Sequence, residues 1–179
     1  MTGTKLSAQD ITHIGIFTAL TATGAFITIP IGPVPITLQS LFVLLSGIIL
    51  GPKKAVLSQV SYILLGLVGL PVFAGFSGGL GQLIKPSAGF LFGFVAAAYC
   101  TGRLSENGKT KNLYLAVLIG TLVMYSTGIP YMYYVLNIML KKSLNILQVL
   151  NMGMLMFLPG DAIKAVMAVF VGEKIKNRL

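Results

Sequence analysis

Apolar residues gather into runs at about 11–29, 37–51, 54–70, 86–102, 112–137 and 159–173, separated by stretches rich in proline, glycine or charge. A bilayer crossing needs roughly 20 mainly apolar residues, so six crossings is the simplest count. The second run, ITLQSLFVLLSGIILG, is short for a full span and predicts a small tilt or shielding by neighbouring protein. In the fifth run, Pro130 sits inside STGIPYMYYVLNIMLKK. Proline removes a backbone donor and disfavours helix at the residue before it, which predicts a kink or break near Gly128 to Pro130. The stretch 131–157 is then expected as short interfacial helices and not as a seventh span.

Composition turns this pattern into a membrane assignment. Of 179 residues, 55% are hydrophobic and 9% charged, whereas a soluble domain is typically about 25% charged. The predicted fold class is an all-α integral membrane protein of six transmembrane helices with folded outer loops. Residues 1–179 are read as a single membrane-embedded domain, with no room for a nucleotide-binding domain. The net charge of +9 does not indicate nucleic acid, because the basic residues form short clusters between apolar runs, with no basic stripe and no interleaved aromatics. Nine of them fall on one side of the six-span topology: Lys5, Lys53, Lys54, Arg103, Lys109, Lys111, Lys174, Lys176 and Arg178. By the positive-inside rule both termini are cytoplasmic, and residues 1–9 form a short tail ahead of the first span. The loops around 30–37, 70–86 and 138–158 are then outside. Irregular backbone near a bilayer needs protein or water to satisfy it, so a lidded cavity open to the outside is expected there.

Charge is scarce enough that its position is informative. Asp161 and Lys164, at i and i+3, project from one face of the last helix, just after Pro159. An acid near a helix N-terminus is electrostatically favoured, so an interfacial ion pair is one reading. An ionised side chain within a bilayer costs about 2.5–3.5 kcal/mol and usually serves a function, so a ligand site is the other. The run from Gly69 to Phe94 surrounds Lys85 with glycines and aromatics. Glycines there let backbone approach a ligand, and Phe73, Phe76 and Phe90 are candidate apolar walls. A flexible outer loop is the alternative. In the first helix, Gly15, Ala19 and Thr23, with Ala22 and Ala25 beside them, form a small-residue face suited to close helix contact within the chain or with another protein.

Other classes fare badly. One histidine, His13, and four scattered acids supply neither a metal-binding cluster nor a nucleophile with its base, so no catalytic and no metal-binding residues are assigned. Cys100 is the only cysteine, which excludes an intramolecular disulfide. A small membrane enzyme and a membrane scaffold are the residual alternatives.

Three ordered blocks carry a resemblance over nearly the whole chain: IGPVPITLQSLFVLLSGIILGPKKA, LLGLVGLPVFAGFSGGLGQLIKPSAGFLFGF and FLPGDAIKAVMA. The sequence resembles the BioY family, the biotin-binding S components of energy-coupling-factor (ECF) vitamin transporters. The resemblance implies capture of biotin from outside, with another vitamin or a biotin precursor as the rival substrate. It also implies work with a transmembrane T component and two ATPase subunits, which would use the ATP; this chain would bind no cofactor. Asp161 and Lys164 match the family's Asp-x-x-Lys positions and carry over a ligand-binding role, with Asp161 accepting from the ureido N–H groups. Lys85, Ser77, Phe73, Gly78, Gly79 and Gln39 complete the implied binding set, and Ala19, Ala22 and Thr23 the face that docks the T component. The central loop departs from the family pattern: a binding asparagine found in some members is Ser77 here, and an arginine is Leu91. Lys85 is then either the partner of the ligand carboxylate or a lysine reaching to the outer interface.

Overall fold

A computed structural model of the chain describes residues 6–106 and 110–176. Lys5, Lys109 and Arg178 of the basic clusters lie outside the described residues. Helix α1, Ala8–Phe26, starts ahead of the expected boundary at residue 11 because Ser7 and Asp10 close a reciprocal cap: Asp10 N donates to Ser7 Oγ and Ser7 N to Asp10 Oδ2, both at 3.1 Å. Such a box satisfies two donors that a helix start leaves unpaired. Asp10 also pairs with Lys54, tying this end of α1 to the next helix.

A short hairpin follows. Strands β1 (Thr28–Ile29) and β2 (Ile36–Thr37) pair antiparallel, with Thr28 opposite Thr37 and Ile29 opposite Ile36. The Pro/Gly-rich turn between them returns the chain so that Leu38 N donates to Gly24 O at 3.0 Å. Helix α2, Gln39–Leu67, is broken in direction at Gly51, where φ is 74° and ψ 174°. Only glycine occupies that region without strain, and Pro52 suits the first turn of the second half. Gln39 meets Tyr62 and Ser46 meets Gln59 across this point, so the two halves run back along each other. The predicted runs 37–51 and 54–70 are these two halves.

A 3-10 turn, Leu80–Ile84, leads into α3, Ala88–Ser105, and α4 spans Thr110–Tyr134. After a π-helical turn, Val135–Met139, come the short α5, Ile146–Leu150, a second π-helical turn, Asn151–Leu155, and α6, Leu158–Lys176. Of the kink or break expected near Gly128 to Pro130, the break does not occur, since α4 runs through Pro130 and changes its hydrogen bonding only at Val135. Packing on α3 holds this segment helical: a Cβ at Gly128 would collide with the Phe90 ring, and one at Gly89 would collide with Tyr131 Cβ. Neighbouring helices commonly offset the one backbone bond that proline removes within a membrane helix. Between the π-helical turns, Asn137 clasps Leu144 through its N–H at 2.6 Å and its carbonyl at 2.9 Å, so the connection returns in a defined loop.

The core lies between α1, both halves of α2, α3, α4 and α6, around Phe17, Leu44, Ile48, Tyr62, Ala97 and Val117. Large apolar side chains such as Leu118, Leu122, Ile163, Val166 and Phe170 point outward, as a lipid-facing surface requires. By length and composition the helical stretches Asn112–Met139 and Ile146–Lys176 could cross a membrane, as could Gln39–Leu67 were it not turned back at Gly51.

The Gly51 conformation generates a stability prediction. Gly51→Ala places a side chain in a region costing about 1–3 kcal/mol, and thermal melting of the detergent-solubilised protein should fall accordingly. Gly15→Ala is the matched control. It adds a methyl where nothing lies within 4 Å, on an exposed helix face, and should be neutral or raise stability by about 0.5–1 kcal/mol.

Candidate functional site

The hairpin turn, the loop between α2 and α3, and residues of α2, α3, α4 and α6 line a cavity of about 270 Å³. One end is built on α6. The first turn of this helix is closed by Asp161 N donating to Phe157 O at 2.8 Å, and Asp161 and Lys164 then share a face. Their side chains form an ion pair at 2.5 Å and are only 13% and 7% exposed. Lys164 Nζ also donates to Thr37 O at 3.0 Å and to Ser40 Oγ at 2.8 Å. The ammonium has three donors, and Asp161, β2 and the first turn of α2 take all three. Asp161 is held at both oxygens, with acceptor capacity to spare. Lys164 and, at 3.5 Å, the Ser40 hydroxyl face its Oδ1, while the Tyr125 hydroxyl on α4 donates to its Oδ2. A buried charge is tolerated when it is paired and its remaining hydrogen-bonding capacity is met.

A second polar line crosses from the hairpin to the central loop. Thr37 Oγ1 donates to Gln39 Oε1 at 3.1 Å, Gln39 Nε2 donates to the Tyr62 hydroxyl at 2.6 Å, and that hydroxyl donates to Val72 O at 3.1 Å. The walls between are apolar. Phe73 stands edge-on to Tyr62, with ring centroids 5.4 Å apart, and its ring occupies the space that a Cβ at Gly66 would need. Phe90, from α3, stands edge-on to Tyr125 at 6.4 Å. Phe94, Met124 and Phe157 complete this surface.

Six of the residues assigned to the binding set line this one cavity: Asp161, Lys164, Lys85, Ser77, Phe73 and Gln39. Lys85, at the end of the 3-10 turn, is exposed, in contrast to Lys164. Ser77 Oγ lies 2.8 Å from Ala74 O and 3.2 Å from Gln82 Oε1. Gly78 and Gly79 are not among the lining residues. A Cβ at Gly78 would collide with Leu70 O, and Gly79, at φ 88°, donates its N–H to Gly66 O at 2.7 Å, so both shape the loop that carries Phe73 and Ser77. Phe76 also stays outside; it stacks on Phe26 of α1, with centroids 4.5 Å apart. Ala19 and Thr23 are exposed and Ala22 half-buried, away from the cavity. Among the described residues no group of three or more His, Cys, Asp or Glu side chains is placed to hold a metal ion.

Sequence reasoning did not find Tyr125, Ser40, Tyr62 or the Thr37 carbonyl. Ser40 follows Gln39 inside a conspicuous block, and Tyr125 puts a hydroxyl in a strongly apolar run. Both signals were present, but neither carries charge.

Known proteins share the sequence and the shape. A sequence profile described as the BioY family matches residues 1–179. A Thermotoga maritima protein named "Biotin transporter BioY" is 42% identical over 170 residues, covering 94% of this chain and 96% of that one. A Pyrococcus horikoshii protein named "Probable biotin transporter BioY" is 38% identical over 172 residues, covering 96% and 99%. The crystal structure of the S-component for biotin from an ECF-type ABC transporter superposes with a TM-score of 0.85 at 27% identity, over 97% of this chain and 95% of that one.

The buried pair yields a prediction that needs no ligand. Lys164→Met leaves the Asp161 carboxylate buried without its cation and should destabilise the protein by about 3–5 kcal/mol. The double variant Asp161→Asn/Lys164→Met should recover part of that loss, as read from melting temperatures in detergent.

Proposed function

The chain belongs to the BioY family, and on that ground we propose that it is the biotin-binding S component of an ECF transporter, capturing biotin at the outer face for ATP-driven import. It is a substrate-binding subunit and not an enzyme. The observation that carries the reading is the lining of the cavity, which combines a buried carboxylate–ammonium pair, aromatic walls and one exposed lysine. Biotin has the matching groups: a ureido ring with N–H donors and a carbonyl, an apolar thiophane and tail, and a terminal carboxylate. A volume of about 270 Å³ lies near the lower end of the roughly 300–1,000 Å³ usual for small-ligand pockets.

In this assignment Asp161 accepts from the ureido N–H groups through its remaining lone pairs. Lys164 reaches the ureido carbonyl by exchanging one of its protein acceptors, Ser40 Oγ or Thr37 O, for the ligand. Phe73 and Phe90 flank the thiophane, and Gln39 and Ser77 offer polar contacts along the wall. Gly78 and Gly79 act through the shape of the central loop. Lys85 faces the carboxylate, where Ser77 and Leu91 provide no charge.

The membrane arrangement follows the same reading. The six crossings are α1, the two halves of α2, α3, α4 and α6, with both termini cytoplasmic and the whole chain one membrane-embedded domain. The exposed Ala19 and Thr23, with Ala22 beside them, form the docking face for the T component, and two ATPase subunits hydrolyse the ATP.

Purified protein should bind biotin in preference to desthiobiotin, thiamine and riboflavin, as measured by calorimetric titration. Asp161→Asn should weaken binding about 10- to 100-fold, the range for a hydrogen bond to a charged group. Lys85→Ala should cost about 2- to 5-fold, as for an exposed ion pair, and nothing for a carboxyl-blocked analogue. Unchanged biotin affinity in Asp161→Asn would sink the site assignment, and no biotin binding at all would sink the substrate. For docking, Ala19→Leu/Thr23→Leu should lose co-purification with the T component while retaining biotin affinity.

A further inference from the structure

We propose that Tyr125 is a positioning residue, whose hydroxyl sets the plane of the Asp161 carboxylate so that its remaining lone pairs meet the N–H groups of the ligand. This inference rests on the assignment of Asp161 to the ureido ring. Rotation about the bond that carries a carboxylate is soft, so a donor on one oxygen alone leaves the other free to swing. Lys164 holds Oδ1, and Lys164 is itself fixed by Thr37 O and Ser40 Oγ. Among the described residues, the Tyr125 hydroxyl is the hydrogen-bond donor on Oδ2. Tyr125 comes from α4, a different helix from the α6 that carries the ion pair, so the two oxygens are referenced to two separate elements.

The tyrosine ring is itself well fixed. It is 6% exposed, lies edge-on to Phe90 and belongs to the same packed cluster as Met132 and Phe157. Its hydroxyl has one proton, and that proton goes to Asp161. An aromatic needed only for packing would serve equally well as phenylalanine, which gives the proposal a clean contrast.

The test is a cycle of four proteins: the natural chain, Tyr125→Phe, Asp161→Asn and the double variant. Each is titrated with biotin, with biotin amide and with biotin methylated on a ureido nitrogen, and each is melted in detergent. Tyr125→Phe should weaken biotin and biotin amide by the same factor, about 10-fold, because the effect arises at the ureido end. That factor should shrink below about 2-fold in the Asp161→Asn background and for the methylated ligand, since contacts that act as a unit are non-additive. An equal loss in the natural and the Asp161→Asn backgrounds, or a lowered melting temperature with unchanged biotin affinity, would reduce Tyr125 to a packing residue. If the natural chain binds biotin and Asp161→Asn weakens it while Tyr125→Phe does not, this proposal alone falls; if the natural chain does not bind biotin, the proposed function falls with it.

Discussion

The ammonium of Lys164 is the constraint around which the cavity end of the molecule is arranged. It is buried among elements that span an apolar layer, where a charge is stable only if every donor is matched. Its partners are drawn from three places in the sequence: Asp161 one turn back on α6, the Thr37 carbonyl on β2 and the Ser40 hydroxyl in the first turn of α2. The hairpin register therefore matters to a helix more than a hundred residues away. Moving β2 by one residue along β1 would carry the Thr37 carbonyl off the ammonium and leave a donor unmet.

The apolar part of the cavity depends on a different constraint, the close approach of rings to glycine. Phe73 packs its ring on Gly66, and Phe90 packs on Gly128, at distances that any Cβ would violate. Each wall residue is thus seated on a glycine of another part of the chain, which sets the ring position without a directional bond. The same device lets α3 approach Gly51 and Pro52, since a Cβ at Gly102 would lie 2.6 Å from Pro52 N. In a membrane, where lipid removes the hydrophobic drive between helices, close packing of this kind supplies much of the association energy.

Most of the helical framework was legible because lipid imposes length and apolarity, and the two halves of α2 could be separated by the GPKK interruption between them. Asp161 and Lys164 stood out because so few residues are charged. Tyr125 and Ser40 did not, because neutral hydroxyls are common in membrane helices and only the fold reveals which of them faces an ion. The helix does not break at Pro130 for a related reason: local propensity predicts the cost of the proline, whereas tertiary packing of Phe90 and Gly89 against α4 decides whether the helix continues through it. Gly78 and Gly79, assigned to the binding set, lie outside the cavity lining and set the shape of the central loop, since backbone conformation is not visible in a run of glycines.

The buried pair and Lys85 differ in what they can contribute to selectivity. At the clamp, a ligand group exchanges with contacts that are already formed and largely hidden from water, so a mismatched group leaves a buried donor or acceptor unpaired and loses about 1–3 kcal/mol for each such failure. At Lys85 the cation is exposed, and solvent competes for it whether or not a carboxylate is present; an exposed pair adds only about 0.2–1 kcal/mol and is screened by salt. Discrimination in the proposed function therefore resides at the ureido end. In the proposed function Lys85 would then contribute orientation and a modest share of affinity.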